Sequence, residues 1–179
     1  MILTKSSNVV CITGPESSGK TTLSNALSKK LNAVEIPELA REHLENTKGV
    51  YSKADLIPIA AAQLEAIRSN SSSNKSLVIS DTGVEVVKIW HEVKFGNSAE
   101  LDSMLLKQFS LVSSYILCSP EIPWEADPLR ENPTNRDELF SLYITLLKKH
   151  GLNFTVVKGN KATRVDQALK FLELKKPSN

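Results

Sequence analysis

Apolar positions along the chain fall in short unbroken runs that alternate with longer stretches of helical spacing. Val9 to Thr13 is rich in β-branched residues and stops at Gly14, and Lys20 to Leu31 then repeats Leu23, Ala26, Leu27 and Leu31 on one helical face. Val34 to Ile36 predicts a second strand ending at Pro37, followed by a helix carrying Leu39, Ala40, His43 and Leu44. Ser52 then caps a longer helix, with Asp55 completing a capping box and Ile57, Ala60, Ala61, Leu64 and Ile67 as its apolar face. The polar run Ser69 to Ser76 reads as a solvent loop. Leu77 to Ile79 predicts a third strand that ends in Ser80, Asp81 and Thr82, and helices follow over Val84 to Val93 and Ala99 to Phe109. A fourth strand over Tyr115 to Cys118 leads into Ser119 to Pro133, a loop punctuated by proline. Helix Glu138 to His150, strand Asn153 to Val157 and helix Val165 to Leu174 close the pattern. Strands without polar alternation, separated by helices, imply an α/β fold with a parallel five-stranded sheet covered on both faces, a three-layer architecture. In such sheets ligands lie beyond the carboxyl ends of the strands.

With 179 residues, 41% hydrophobic and 23% charged, the chain fits a single domain over residues 1–179 that needs no disulfide or structural metal. Cys11 and Cys118 each sit in an apolar run and read as buried core thiols. Met1 leads into no basic-flanked leader and no run spans a bilayer, so no membrane contact is expected and the cytoplasm is the expected compartment. A net charge of +2 with interspersed acids and bases lacks the concentrated positive field of a nucleic-acid binder. A homo-oligomer is compatible with these numbers.

The most specific chemistry lies between the first strand and the first helix. Gly14-Pro15-Glu16-Ser17-Ser18-Gly19-Lys20-Thr21, continued by Thr22, matches G-x-x-x-x-G-K-[ST] in the context that motif requires. Glycines allow a tight backbone turn whose N–H groups and helix dipole hold an anion, Lys20 reaches the β- and γ-phosphates, and Thr21 offers a hydroxyl to Mg²⁺. ATP and Mg²⁺ are therefore the expected cofactors of a P-loop NTPase with its phosphate loop at residues 14–22. Asp81, after the third strand, stands where such proteins place an acid for a magnesium-bound water or a proton; a helix cap is the alternative. Glu38 shares a helical face with Arg41 and Glu42 and could orient or deprotonate an acceptor hydroxyl, or simply complement a helix dipole. The loop at about 119–136 occupies the lid position. Its Arg130 and Arg136 suit charge compensation during phosphoryl transfer, although Arg130 could instead pair with Asp127 in solvent. Trp124 could stack on a flat substrate or anchor the loop, and Trp90 reads as core.

Together these residues resemble a known family, the nicotinamide riboside kinase domain of NadR and its NadR-like P-loop ATPase relatives. The resemblance runs through Thr13-Gly14, Glu16 to Leu23, Pro37-Glu38, Arg41-Glu42, Gln63, Asp81-Thr82, Pro123-Trp124, Ala126-Asp127, Leu129-Arg130, Arg136 and Arg164. It implies a nucleoside/nucleotide-kinase-like P-loop fold with a lid loop and ATP-dependent phosphorylation of a small nucleoside-like substrate, nicotinamide riboside, to its mononucleotide. It further implies Glu38 as the base, with Lys20, Asp81, Arg130 and Arg136 completing the catalytic set. Arg41, Gln63, Trp124 and Asp127 then fall along the acceptor, with Gln63 bonding its flat group. The loop Gly159 to Arg164, with Asn160, would lie against the adenine, or would merely start a helix. NadR carries an adenylyltransferase domain before its kinase, whereas this chain opens almost directly on its first strand, so no second activity is expected. The competing readings are a kinase for another nucleoside or deoxynucleoside, and a P-loop ATPase acting as a nucleotide-dependent regulator.

Overall fold

The computed structural model describes residues 8–47, 49–73, 76–128, 130–131 and 133–173. The strands are β1 (Val9–Thr13), β2 (Val34–Ile36), β3 (Val78–Asp81), β4 (Val112–Cys118) and β5 (Phe154–Val157). They form one sheet in the order β2-β3-β1-β4-β5, every neighbouring pair parallel. The helices are α1 (Lys20–Leu31), α2 (Leu39–Asn46), α3 (Lys53–Ser73), α4 (Val84–Phe95), α5 (Ala99–Phe109), α6 (Arg136–Lys149) and α7 (Lys161–Glu173).

The pleat of β1 divides the core. Val10 and Ile12 pack with Leu23 and Leu27 of α1 and Val165 and Ala168 of α7. Val9 and Cys11 pack on the other face with Ile67 of α3, Ile89 of α4 and Tyr143 of α6. Burial on both faces explains why Val9 to Ile12 of β1 are apolar without alternation. Ala40, Leu56, Ile59, Val87 and Leu105 make a further cluster that joins α2, α3, α4 and α5. β1 lies between β3 and β4, so the chain leaves it toward one edge and later builds the other side; the crevice at that reversal is where α/β sheets take ligands.

Three expectations need correction. The polar run beginning at Ser69 continues α3 to Ser73, because Ser69 Oγ bonds Glu65, Asn70 Nδ2 donates to the Ala66 carbonyl and Ser71 Oγ to that of Arg68, all one turn back. The buried face of α3 is Leu56, Ile59, Ala60, Gln63 and Ile67, rotated from the expected stripe so that Ile57, Ala61 and Leu64 lie at its border. At the start of α3 only half of the capping box forms: Asp55 accepts from both the backbone N–H and the hydroxyl of Ser52, at 2.6 and 2.8 Å. Leu174 and Leu129 lie outside the described residues. Both cysteines are buried and free, and among the described residues no helix is long and apolar enough to cross a membrane.

Candidate active site

Gly14 (φ +138°), Ser17 (φ +54°) and Gly19 (φ +81°) bend the connection from β1 to α1 into a loop with repeated left-handed turns. A Cβ on Gly14 would stand 2.8 Å from the backbone carbonyl oxygen of Cys118, a close approach that requires glycine, while at Gly19 the left-handed backbone is what favours it. The N-terminus of α1 has no side-chain cap and no acid in its first turn, and the buried Ser18 hydroxyl has no partner among the described residues. These unsatisfied donors fit an anion. Lys20 Nζ meanwhile folds onto the Pro15 carbonyl at 2.9 Å.

Asp81, at the end of β3, faces the Thr21 hydroxyl in the first turn of α1, which favours its charged form. Asp81 is only 2% exposed, and its Oδ1 has no partner among the described residues. Burial first, then the nearby Glu38 and Glu35 charges, push its pKa up to about 6 against the opposing pull of Thr21 and Lys20. The next residue, Thr82, is β-branched yet holds φ +75°. That conformation is costly and is fixed by its N–H to the Ile12 carbonyl at 3.0 Å and by Ser80 Oγ on its own carbonyl at 2.7 Å. An orphaned carboxylate oxygen beside a threonine hydroxyl suits a hard divalent cation that keeps several ligands from water and phosphate. No cluster of three His, Cys, Asp or Glu side chains exists among the described residues to form an all-protein cage.

A cavity of about 520 Å³ opens from this loop and is walled by Glu38, Arg41, Gln63, Thr82 and the apolar side chains Leu44, Ile59, Val86 and Val87. Glu38 occupies the N-cap position of α2 but caps nothing with its side chain, and its carboxylate has no hydrogen bond or ion pair among the described residues. Gln63 also reaches the cavity, but its amide is a brace: Oε1 accepts from Leu39 N–H at 3.1 Å, and Nε2 donates to the Pro37 carbonyl and Ser80 hydroxyl at 3.3 and 3.2 Å. The expected role of bonding a substrate ring is thus filled by protein partners.

The lid lies on the phosphate loop. Ser17 Oγ accepts from Glu125 N–H at 3.2 Å and from Arg130 Nη1 at 3.4 Å, and Arg136 Nη1 donates to the Ser17 and Ile122 carbonyls at 3.1 and 2.9 Å. Asp127 pairs with Arg41 at 2.7 Å, not with the Arg130 side chain. The ring of Trp124 is not part of the cavity wall; it packs under Arg130 and Arg136, with guanidinium carbons 6.0 and 5.7 Å from its centroid. Arg164 borders the cavity, yet its guanidinium is fastened to the carbonyls of Gly159, Ser18 and Ser119 at 2.7, 2.7 and 3.0 Å. Asn160 Oδ1 accepts from Thr163 N–H at 3.0 Å, so this side chain starts α7 as its cap.

Three residues, Tyr51, Lys94 and Glu131, escaped the sequence reading. Trp90, expected in the core, packs against the cluster of α2 to α5 and is half-buried, and it also lines the cavity; its Nε1 donates to the Tyr51 hydroxyl at 2.8 Å. Lys94 donates to the same oxygen at 2.6 Å and to Glu131 of the lid at 2.9 Å. Tyr51, Lys94 and Glu131 are 37 to 80 residues apart along the chain, and no local pattern links them.

The chain matches the AAA domain family over residues 9–164. It is similar in structure to NadR in complex with NR, at 21% identity and a TM-score of 0.75 over 97% of this chain and 50% of that one. The match to NadR in complex with NAD and AMP-PNP has the same identity and coverage and a TM-score of 0.73, so the chain spans about half the length of these NadR chains. Thymidylate kinase from Candida albicans is similar over 93% of this chain and 91% of its own, at 15% identity and a TM-score of 0.66. No curated protein matches in sequence. These likenesses establish the P-loop kinase fold.

Proposed function

This chain belongs to the AAA domain family, and from that premise we propose that it is an ATP- and Mg²⁺-dependent small-molecule kinase that phosphorylates nicotinamide riboside to nicotinamide mononucleotide. The observation that carries this reading is one continuous cavity in which the phosphate loop, the partnerless Glu38 carboxylate and the docked lid face one another. A nucleotide switch has no use for such a chamber.

The acceptor end favours a nucleoside over a nucleotide. Arg41 is balanced there by Asp127 and Glu45, and Lys94 by Glu131, which leaves these cations poorly placed to receive an acceptor phosphate. The free carboxylate of Glu38 suits a hydroxyl and also a positively charged pyridinium ring. The two NadR structures, one holding NR and the other NAD and AMP-PNP, support the same choice.

In this mechanism the loop at residues 14–22 binds the triphosphate, and Lys20 leaves the Pro15 carbonyl to place its charge on the β- and γ-phosphates. Thr21 and Asp81 would hold Mg²⁺, which when bound neutralises charge on phosphate oxygens. Glu38 accepts the proton of the acceptor hydroxyl as that oxygen bonds to the γ-phosphorus and the bond to the ADP oxygen breaks. Arg130 offsets charge that develops on the transferring group, and the lid excludes water that would otherwise hydrolyse it.

The test is ADP release from Mg-ATP, alone and with nicotinamide riboside, thymidine, deoxyadenosine, cytidine or uridine, with products identified by mass. Stimulation by nicotinamide riboside with formation of its mononucleotide is expected. Stimulation by a different nucleoside would overturn the substrate, and turnover that ignores all five would overturn the kinase.

A further inference from the structure

Glu16 is an acid inside a loop built for anions, and its charge opposes that of a bound triphosphate. Its carboxylate is engaged elsewhere, since both oxygens accept the backbone N–H of Glu131 in the lid, at 3.0 and 3.1 Å. The side chain of Glu131 turns the opposite way. It accepts the Tyr51 hydroxyl at 2.6 Å and the Lys94 ammonium at 2.9 and 3.1 Å, while Lys94 also sits over the Tyr51 ring at 4.3 Å from its centroid. Tyr51 packs edge-on against Trp90, with centroids 4.6 Å apart, and Trp90 and Lys94 both wall the cavity. A single lid residue is therefore held by its backbone to the phosphate loop and by its side chain to α4 and the turn between α2 and α3. Burial raises the Glu131 carboxyl, but the bonds from Tyr51 and Lys94 outweigh it and keep the pKa below the usual glutamate value, so the carboxylate is charged at neutral pH.

We propose that Glu131 is a positioning residue that couples occupancy of the phosphate loop to closure of the far wall of the cavity, through Glu16 on one side and Tyr51 and Lys94 on the other. The inference rests on the kinase reading for its ligands. Nucleotide that orders the loop orders Glu16, which fixes the Glu131 backbone and with it the carboxylate that gathers Tyr51, Lys94 and Trp90.

Hydrogen exchange of the full chain, with and without Mg²⁺ and AMP-PNP, tests this directly. In the wild type the nucleotide should slow exchange at residues 14–22 and also at 50–53 and 90–95. Glu131→Gln and Tyr51→Phe should each abolish the second effect while preserving the first, and the double variant should lose no more than either single one. With nicotinamide riboside as acceptor, Glu131→Gln should raise KM roughly five- to tenfold, the lower range of coupling between sites, and change kcat little. Nucleotide protection of 50–53 and 90–95 that persists in Glu131→Gln, or that is absent from a wild type protected at 14–22, would overturn the coupling. No protection at 14–22 in the wild type would overturn the nucleotide reading and the coupling with it.

Discussion

Replacing Arg164 by methionine separates two roles that the sequence left open, a contact to the nucleotide and a rivet in the fold. The side chain is 3% exposed, and its three donor nitrogens reach the carbonyls of Ser18, Ser119 and Gly159, which belong to three separate loops at the carboxyl edge of the sheet. Methionine restores much of the stem packing but none of the donors. The Ser18 and Ser119 carbonyls belong to buried residues and lose a charge-assisted bond, worth roughly 1.5–3 kcal/mol each. The Gly159 carbonyl sits on an exposed residue and can turn to water, and the partner Glu121 is too exposed for its ion pair to matter greatly. The expected loss is therefore about 3–6 kcal/mol, or a drop in Tm of roughly 10 °C for a chain of this size. Thermal unfolding by circular dichroism, with urea midpoints at unchanged m, measures it. Arg164→Lys keeps the charge without the planar fork and should recover less than half of the loss. A fall in Tm below about 3 °C would refute the rivet, and a variant of normal stability with lost nucleotide affinity would return Arg164 to the ligand.

Glu38→Gln should lower kcat with nicotinamide riboside by roughly 10²–10⁴-fold as a lost general base, and should leave Tm unchanged because the carboxylate has no partner to lose; steady-state kinetics beside a melt checks both. Gln63→Leu should behave oppositely. Leaving Leu39 N–H without its acceptor, while Ser80 Oγ keeps its bond to the Thr82 carbonyl, costs about 1–3 kcal/mol in urea unfolding, whereas the ranking of acceptor nucleosides should stay as in the wild type. Burial holds the Cys118 thiol up to about 11 and Cys11 well above its ordinary value, so at pH 8 both remain protonated in the fold. A disulfide reagent should label them only at the rate of unfolding, and rapid labelling of the native protein would contradict their burial.

Much of the architecture was legible because its causes are local. The run from Val9 to Ile12 is apolar throughout because both faces of β1 are covered, and Ala99 to Phe109 carries its helical period within its own residues. The phosphate loop is contiguous, so its glycines, lysine and threonine announce it without knowledge of any neighbour. The placement of Asp81 and Glu38 on one edge of the sheet follows from sequence position, since strand ends in a parallel sheet converge there. The polar run after Ser69 misled because side chains that favour loops can equally bond back to the preceding turn of a helix.

What side chains do once they are gathered was decided only by the tertiary structure. Gln63, Asn160 and Arg164 stood in the right neighbourhood, but whether an amide or guanidinium faces a ligand or a backbone carbonyl depends on which loops pack around it. Ser18 lies 146 residues from Arg164, and Glu16 lies 115 from Glu131. The sequence by itself determined the alternation of strands and helices and the anion-binding loop, since periodicity and turn chemistry act within a few residues. The lid contacts, the brace at Gln63 and the Tyr51–Lys94–Glu131 cluster were left to the tertiary structure, because hydrogen bonds reach about 3 Å in space and carry no trace of the chain length they close.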